Sequence, residues 1–89
     1  MKTVYKYPLE TIERQKIDIH RNAMFLSAGI DPSGGLCLWA LVDTAEPMAT
    51  RTIFIVGTGF PIADNIPMFF LDTVKNGPFM WHVFYMSDE

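Results

Sequence analysis

Apolar and polar positions alternate with a period of two along nearly the whole chain, and turn residues interrupt the alternation about every eight to twelve positions. That rhythm belongs to short antiparallel strands joined by tight turns. It predicts an all-β chain: a small antiparallel sandwich or partly open barrel of about seven strands. Residues 3–9 form the first expected strand, with Pro8 placing its end at an edge or boundary. Residues 14–20 follow. Ile17 and Ile19 share one face there, and Lys16, Asp18 and His20 share the other, so one side of this strand is wet. Arg21-Asn22 makes a tight connection to a third strand over 24–30.

Asp31-Pro32-Ser33-Gly34-Gly35 is the clearest turn in the chain. Proline presets φ for it, and glycine tolerates the positive φ that closes a hairpin. The strand after it, 36–42, is apolar on both faces, with Leu36, Leu38, Ala40 and Val42 against Cys37, Trp39 and Leu41. A strand of that kind is central in its sheet or is covered by another subunit. Residues 43–49 read as a polar loop, and 50–56 as a β-branched, aromatic strand. Gly57-Thr58-Gly59-Phe60-Pro61 breaks that strand and opens a longer loop. Within the loop, Ala63-Asp64-Asn65 has room for one helical turn. Residues 68–74 and 79–86 are the last two strands, joined at Asn76-Gly77, a dipeptide that favours a type I′ hairpin turn. In the final strand Trp81, Val83 and Tyr85 oppose Met80, His82 and Phe84, again apolar on both faces. Ser87-Asp88-Glu89 is a polar tail.

Composition adds pressure on the surface. Eighty-nine residues suffice for one domain (1–89), yet 49% of them are hydrophobic, including seven Phe, six Met, three Tyr and two Trp. A chain of this size buries only about 60–65% of its unfolded surface, so large apolar side chains stay outside. Exposed apolar patches mark interfaces, and a homo-oligomer is the expectation. The net charge of −3 and the scatter of Lys2, Lys6, Arg14, Lys16 and Arg21 argue against nucleic acid as a partner. The single cysteine, Cys37, excludes an internal disulfide framework and reads as a small buried hydrophobe in a reducing compartment. The first residues alternate rather than form a leader, and no apolar run approaches the ~18–20 residues of a membrane span. A cytoplasmic protein without membrane contact is expected.

Residues suited to catalysis are sparse. His20 and His82 are far apart, no HExxH or CxxC spacing occurs, and Cys37 has no base beside it in sequence. No enzyme activity, metal or cofactor is expected. The binding candidates are Gly57, Thr58 and Gly59, whose successive amides suit a phosphate or carboxylate. The alternative for these glycines is a bend at a strand end. No helix follows, so this is not a dinucleotide fold. Arg51 would supply charge to an anion. Tyr5 and Tyr7 share a face of the first strand and suit an interface or a stacked base. Trp39 and Trp81 read as core fillers or as stacking platforms, and His82 as a ligand contact or a hydrogen-bonded strand residue.

Thr3-Val4-Tyr5-Lys6-Tyr7-Pro8-Leu9, Leu38-Trp39-Ala40-Leu41-Val42-Asp43, Gly57-Thr58-Gly59 followed by Pro61, and Trp81-His82-Val83-Phe84 together resemble a family of short phage and prophage proteins catalogued as a domain of unknown function. The resemblance implies an accessory protein acting inside an infected bacterium and supplies no functional residue. Two classes of function fit that setting. One is a homo-oligomer that sequesters a nucleotide-derived host immune signal at subunit junctions. The other is a protein–protein inhibitor of a host defence factor, with a minor virion or assembly component as a further option.

Overall fold

The computed structural model describes residues 1–87 and contains seven strands: β1 (Lys2–Pro8), β2 (Arg14–His20), β3 (Met24–Ile30), β4 (Leu36–Asp43), β5 (Met48–Gly57), β6 (Phe69–Asn76) and β7 (Phe79–Tyr85). Asp88 and Glu89 of the expected polar tail lie outside the described residues. The strands form two antiparallel sheets, ordered β1-β4-β3 and β2-β5-β7-β6, that are not closed into a barrel. The sandwich expectation holds. Among the described residues there is no helix, so none is long and apolar enough to cross a membrane. In place of the helical turn expected at residues 63–65 there is an isolated turn at Asp64-Asn65, because prolines at 61 and 67 bracket a segment too short to nucleate helix.

Strand position follows from which faces are apolar. β4 is the middle strand of the smaller sheet. Leu38, Ala40 and Val42 are at most 1% exposed and face the larger sheet. They meet Ile53 and Ile55 of β5, Val83 of β7, Val74 of β6 and Ile19 of β2 in one core cluster. The opposite face of β4 is partly open: Val4, Leu41 and Met24 line up across all three strands there. Trp39 shares that face and lies over Gly29, where an added Cβ would sit 3.3 Å from the indole. Cys37 is 1% exposed, donates to the Gly29 carbonyl at 3.6 Å, and has its thiol pKa pushed up by burial.

The two sheets meet where β3 approaches β6. Each of these strands carries a register shift, between Phe25 and Ser27 and between Phe70 and Asp72. Bulges of this kind bend a strand and re-aim side chains. Here the bend brings the Asp72 carboxylate to the Ala28 N–H, 3.1 Å away. The turns match their residue chemistry with one correction. The Asp31 carboxylate accepts from the backbone N–H groups of Ser33 and Gly35 and from the Ser33 hydroxyl, and Gly34 takes φ 90°. The β6–β7 hairpin, by contrast, is not centred on Asn76-Gly77. Asn76 pairs with Phe79, so Gly77 (φ 59°) and Pro78 are the loop residues. Proline fixes the second φ negative, which excludes a type I′ turn and selects the type II′ sign pattern with glycine first.

Candidate functional site

β5 ends at Gly57, and the chain doubles back over residues 57–60. The Phe60 N–H donates to the Gly57 carbonyl at 3.1 Å, and Gly59 has φ 86°. A positive φ at the third turn position is the type II arrangement, which favours glycine there. Phe60 is 66% exposed and lies over Gly57 together with Trp81, the residue opposite Gly57 on β7. A Cβ built on Gly57 would stand 3.4 Å from the Trp81 ring and 3.6 Å from the Phe60 ring. Lacking a side chain, Gly57 forms the floor beneath both aromatic rings.

Three shallow clefts surround Phe60. One of about 280 Å³ runs between Phe60, Pro61 and Trp81 and reaches Thr11 and Glu13 in the β1–β2 connection. A second of about 220 Å³ lies among Thr58, Ile62, His82 and Phe84. The third, about 380 Å³, is bounded by Phe79, Met80 and Pro78. Gly57 and Phe60 border all three, and among the described residues no lysine or arginine lines any of them. The walls are aromatic: Phe79 stacks on Trp81 with centroids 5.4 Å apart and planes at 21°. The Trp81 indole N–H is buried there without a hydrogen-bond partner.

His82 stands between the turn and β6. Its Nε2 is 2.7 Å from the Thr58 hydroxyl and its Nδ1 is 3.0 Å from the Thr73 hydroxyl. A threonine hydroxyl both donates and accepts, so either imidazole tautomer fits. The arrangement ties the tip of the turn to two strands and holds Phe60 on a braced support.

Of the residues nominated from sequence, the structure brings Gly57, Thr58, Gly59 and His82 together and places the other three elsewhere. Arg51 is six residues before Gly57 on the same strand, about 20 Å away at the usual rise. Its Nε and Nη2 donate to the Met86 carbonyl at 3.2 and 3.1 Å, and its guanidinium lies 4.7 Å from the Phe25 ring centre and 5.5 Å from that of Tyr85. It is only 6% exposed. Tyr5 and Tyr7 stand opposite Ala40 and Leu38 on the core-facing side of edge strand β1. Tyr7 is half-buried, and that burial raises its phenol pKa, whereas Tyr5 is exposed. Neither lines a cleft at the turn. Phe60, Phe79 and Met80 were not singled out from sequence, although Phe60 directly follows the Gly-Thr-Gly turn that was.

The family comparison gives one match: a model described as a domain of unknown function (DUF7352) aligns with residues 1–89. No curated protein and no solved structure matches the chain.

Proposed function

The chain belongs to the DUF7352 family, and from that premise we propose that it is a non-enzymatic binding protein that contacts another protein through its Phe60 end. One observation carries the reading. Phe60 (66% exposed), Phe79 (56%), Met80 (41%) and Ile62 (41%) crowd around a turn braced by His82. Phenylalanine and methionine are enriched where proteins meet, and a contiguous exposed apolar patch is seldom kept without a partner. An anchor on a rigid turn also loses little conformational freedom on binding. The resemblance to phage and prophage proteins supplies the setting, a bacterial cytoplasm during infection, and makes a host defence factor the natural target class.

Capture of a nucleotide-derived molecule is the second reading. The cleft of about 280 Å³ favours it, since Phe60 and Trp81 supply aromatic walls for a flat ring. Phosphate is poorly served, because Arg51 donates to the Met86 carbonyl and, among the described residues, no lysine or arginine lines the clefts. The two readings separate in one experiment. Immobilised protein is passed over bacterial lysate beside the Phe60→Ala variant, and anything retained by the wild type alone is purified and titrated. A hot-spot aromatic contributes at least ~2 kcal/mol, so Phe60→Ala should weaken the purified complex by about thirtyfold. In parallel, thermal shifts are read with linear and cyclic nucleotides and with nucleosides. A shift with nucleotides alone would replace the first reading with the second. If the wild type and Phe60→Ala retain the same proteins, the Phe60 end is not the contact surface.

A further inference from the structure

β2 is the outer strand of the four-stranded sheet and is hydrogen-bonded on one side only, to β5. The Ile55 N–H donates to the Glu13 carbonyl at 3.1 Å, one step beyond the Arg14–Phe54 pair. Hydrogen-bonded and non-hydrogen-bonded pairs alternate in an antiparallel ladder. Gln15, Ile17 and Ile19 therefore turn their backbone groups toward β5, and Arg14, Lys16, Asp18 and His20 turn theirs to the open edge. The His20 carbonyl is taken by the Ala23 N–H at 3.3 Å, so the open run centres on Lys16 and Asp18. Both of these side chains are exposed and, among the described residues, make no ion pair.

We propose that this edge pairs with the β2 edge of a second copy of the chain, antiparallel about a two-fold axis at Ile17. In that register Lys16 stands directly opposite the partner's Asp18, and Asp18 opposite the partner's Lys16. Both are pairs whose backbone groups point outward, so the hydrogen-bond phase of the new ladder agrees with that of the old one. Sliding the partner by two residues places Lys16 against Lys16 or Asp18 against Asp18, and like charges directly opposite are unfavourable. Sliding by one residue breaks the phase. The slip that opposes Lys16 to Lys16 also sets Asp18 against the partner's Arg14; of these three registers, the one about Ile17 is the one in which neither Lys16 nor Asp18 faces its own copy. A lone lysine on an edge strand discourages pairing, whereas opposite charges two positions apart make the edge complementary to itself. On the core side, half-buried Ile17 meets its own copy across the axis. The result is one sheet of double width.

Glu13, immediately before β2, lines the cleft beside Phe60. An antiparallel pair therefore carries the two Phe60 ends at opposite extremes and leaves both open. The pairing uses none of the Phe60-end contacts, and its failure leaves the binding reading intact.

Charge reversal tests the register. Sedimentation equilibrium of the intact chain should give a dimer at hundreds of micromolar. Lys16→Asp and Asp18→Lys should each raise the dimer dissociation constant at least about tenfold, since two attractive pairs become repulsive. The double variant Lys16→Asp/Asp18→Lys rebuilds opposite charges and should return to within about threefold of the wild type. Circular dichroism verifies that each variant keeps its sheet. Independently, Ile17→Cys should give a covalent dimer under mild oxidation, because a non-hydrogen-bonded pair sets Cα atoms ~4.5 Å apart, within disulfide reach. A wild-type chain that stays monomeric would overturn the proposal. So would single variants that dimerise normally, or a double variant that fails to recover.

Discussion

Replacing Arg51 with alanine should destabilise the fold severely while leaving the Phe60 end chemically untouched. The magnitude follows from what the guanidinium touches. Two N–H groups donate to the Met86 carbonyl, at 3.2 and 3.1 Å, and the cation lies over the Phe25 and Tyr85 rings at 4.7 and 5.5 Å. A hydrogen bond from a charged donor contributes about 1.5–3 kcal/mol. A desolvated cation–π contact adds about 0.5–2 kcal/mol. The stem is buried with the head and contributes about 0.8 kcal/mol per methylene. These overlap in space and do not add fully, so a loss of about 3–5 kcal/mol is expected. Domains of this size have total stabilities of only about 5–10 kcal/mol. Arg51→Lys keeps the cation but not the planar fork and should fall between the two. Urea unfolding followed by tryptophan fluorescence measures the change, with an unchanged slope required for the comparison. A loss below about 1 kcal/mol would show that the contacts made by Arg51 are not what holds β5, β3 and the end of β7 together. It would also reopen a role for Arg51 in binding an anion, because a ligand contact can be deleted at little cost to folding.

Trp81→Phe should be nearly neutral, within about 1 kcal/mol in urea unfolding, because deleting a buried N–H without a partner offsets the lost ring area; a loss above about 2 kcal/mol would mean that the N–H is satisfied after all. Two glycine substitutions should differ in a defined direction. Gly29→Ala drives a Cβ to 3.3 Å from the Trp39 ring and should cost about 1 kcal/mol with an altered near-ultraviolet spectrum, whereas Gly57→Ala meets Trp81 at 3.4 Å and Phe60 at 3.6 Å, ordinary contact, and should cost less. If Gly57→Ala proves the more damaging of the two, Phe60 packs over Gly57 more tightly than a 3.6 Å contact allows. The Asp31 carboxyl is held well below the usual carboxylate range, first by the Lys6 ammonium at 2.7 Å and then by Ser33 and the Gly35 N–H. Its folded pKa is lower than its unfolded one, so its contribution to stability is complete above about pH 4 and falls away as pH drops toward the folded value. Thermal unfolding from pH 5 to pH 2 should therefore show a shallower pH dependence for Asp31→Asn than for the wild type. Parallel curves would remove Asp31 from the account.

What the sequence reveals, and what it hides, divides along the line between local and non-local causes. The alternation in β2 is local: Ile17 and Ile19 point one way and Lys16 and Asp18 the other whatever the rest of the chain does. The glycines at 34, 59 and 77 announce turns because only the backbone beside them decides the matter. Even there the β6–β7 hairpin moves by one residue, since Pro78 constrains φ more tightly than Asn76 favours a turn. The two-sided apolar pattern of β4 likewise fits a central strand or one covered by another subunit, and β4 is the middle strand of its sheet; β7, also apolar on both faces, lies inside the other sheet. Strand order, however, cannot be read from alternation. Phe54, Phe84 and Phe70 form one cross-strand row, yet Phe54 is 4% exposed and Phe70 is 59% exposed. The difference comes from position, the inside of the sheet against its edge, and from the Arg14 side chain that lies over Phe54. Arg51 and Arg14 both lie over aromatic rings, but one is buried and the other is exposed. The candidate site shows the same division. Its turn is legible from Gly57-Thr58-Gly59, whereas Trp81 reaches Gly57, and His82 reaches Thr73, only through the pairing of β7 with β5 and β6. The Lys16–Asp18 pair carries the argument one step further. Two opposite charges on the wet face of a strand look like ordinary solvation in sequence. Once β2 is an edge with its outward backbone groups in phase with those charges, the same two residues make that edge complementary to itself.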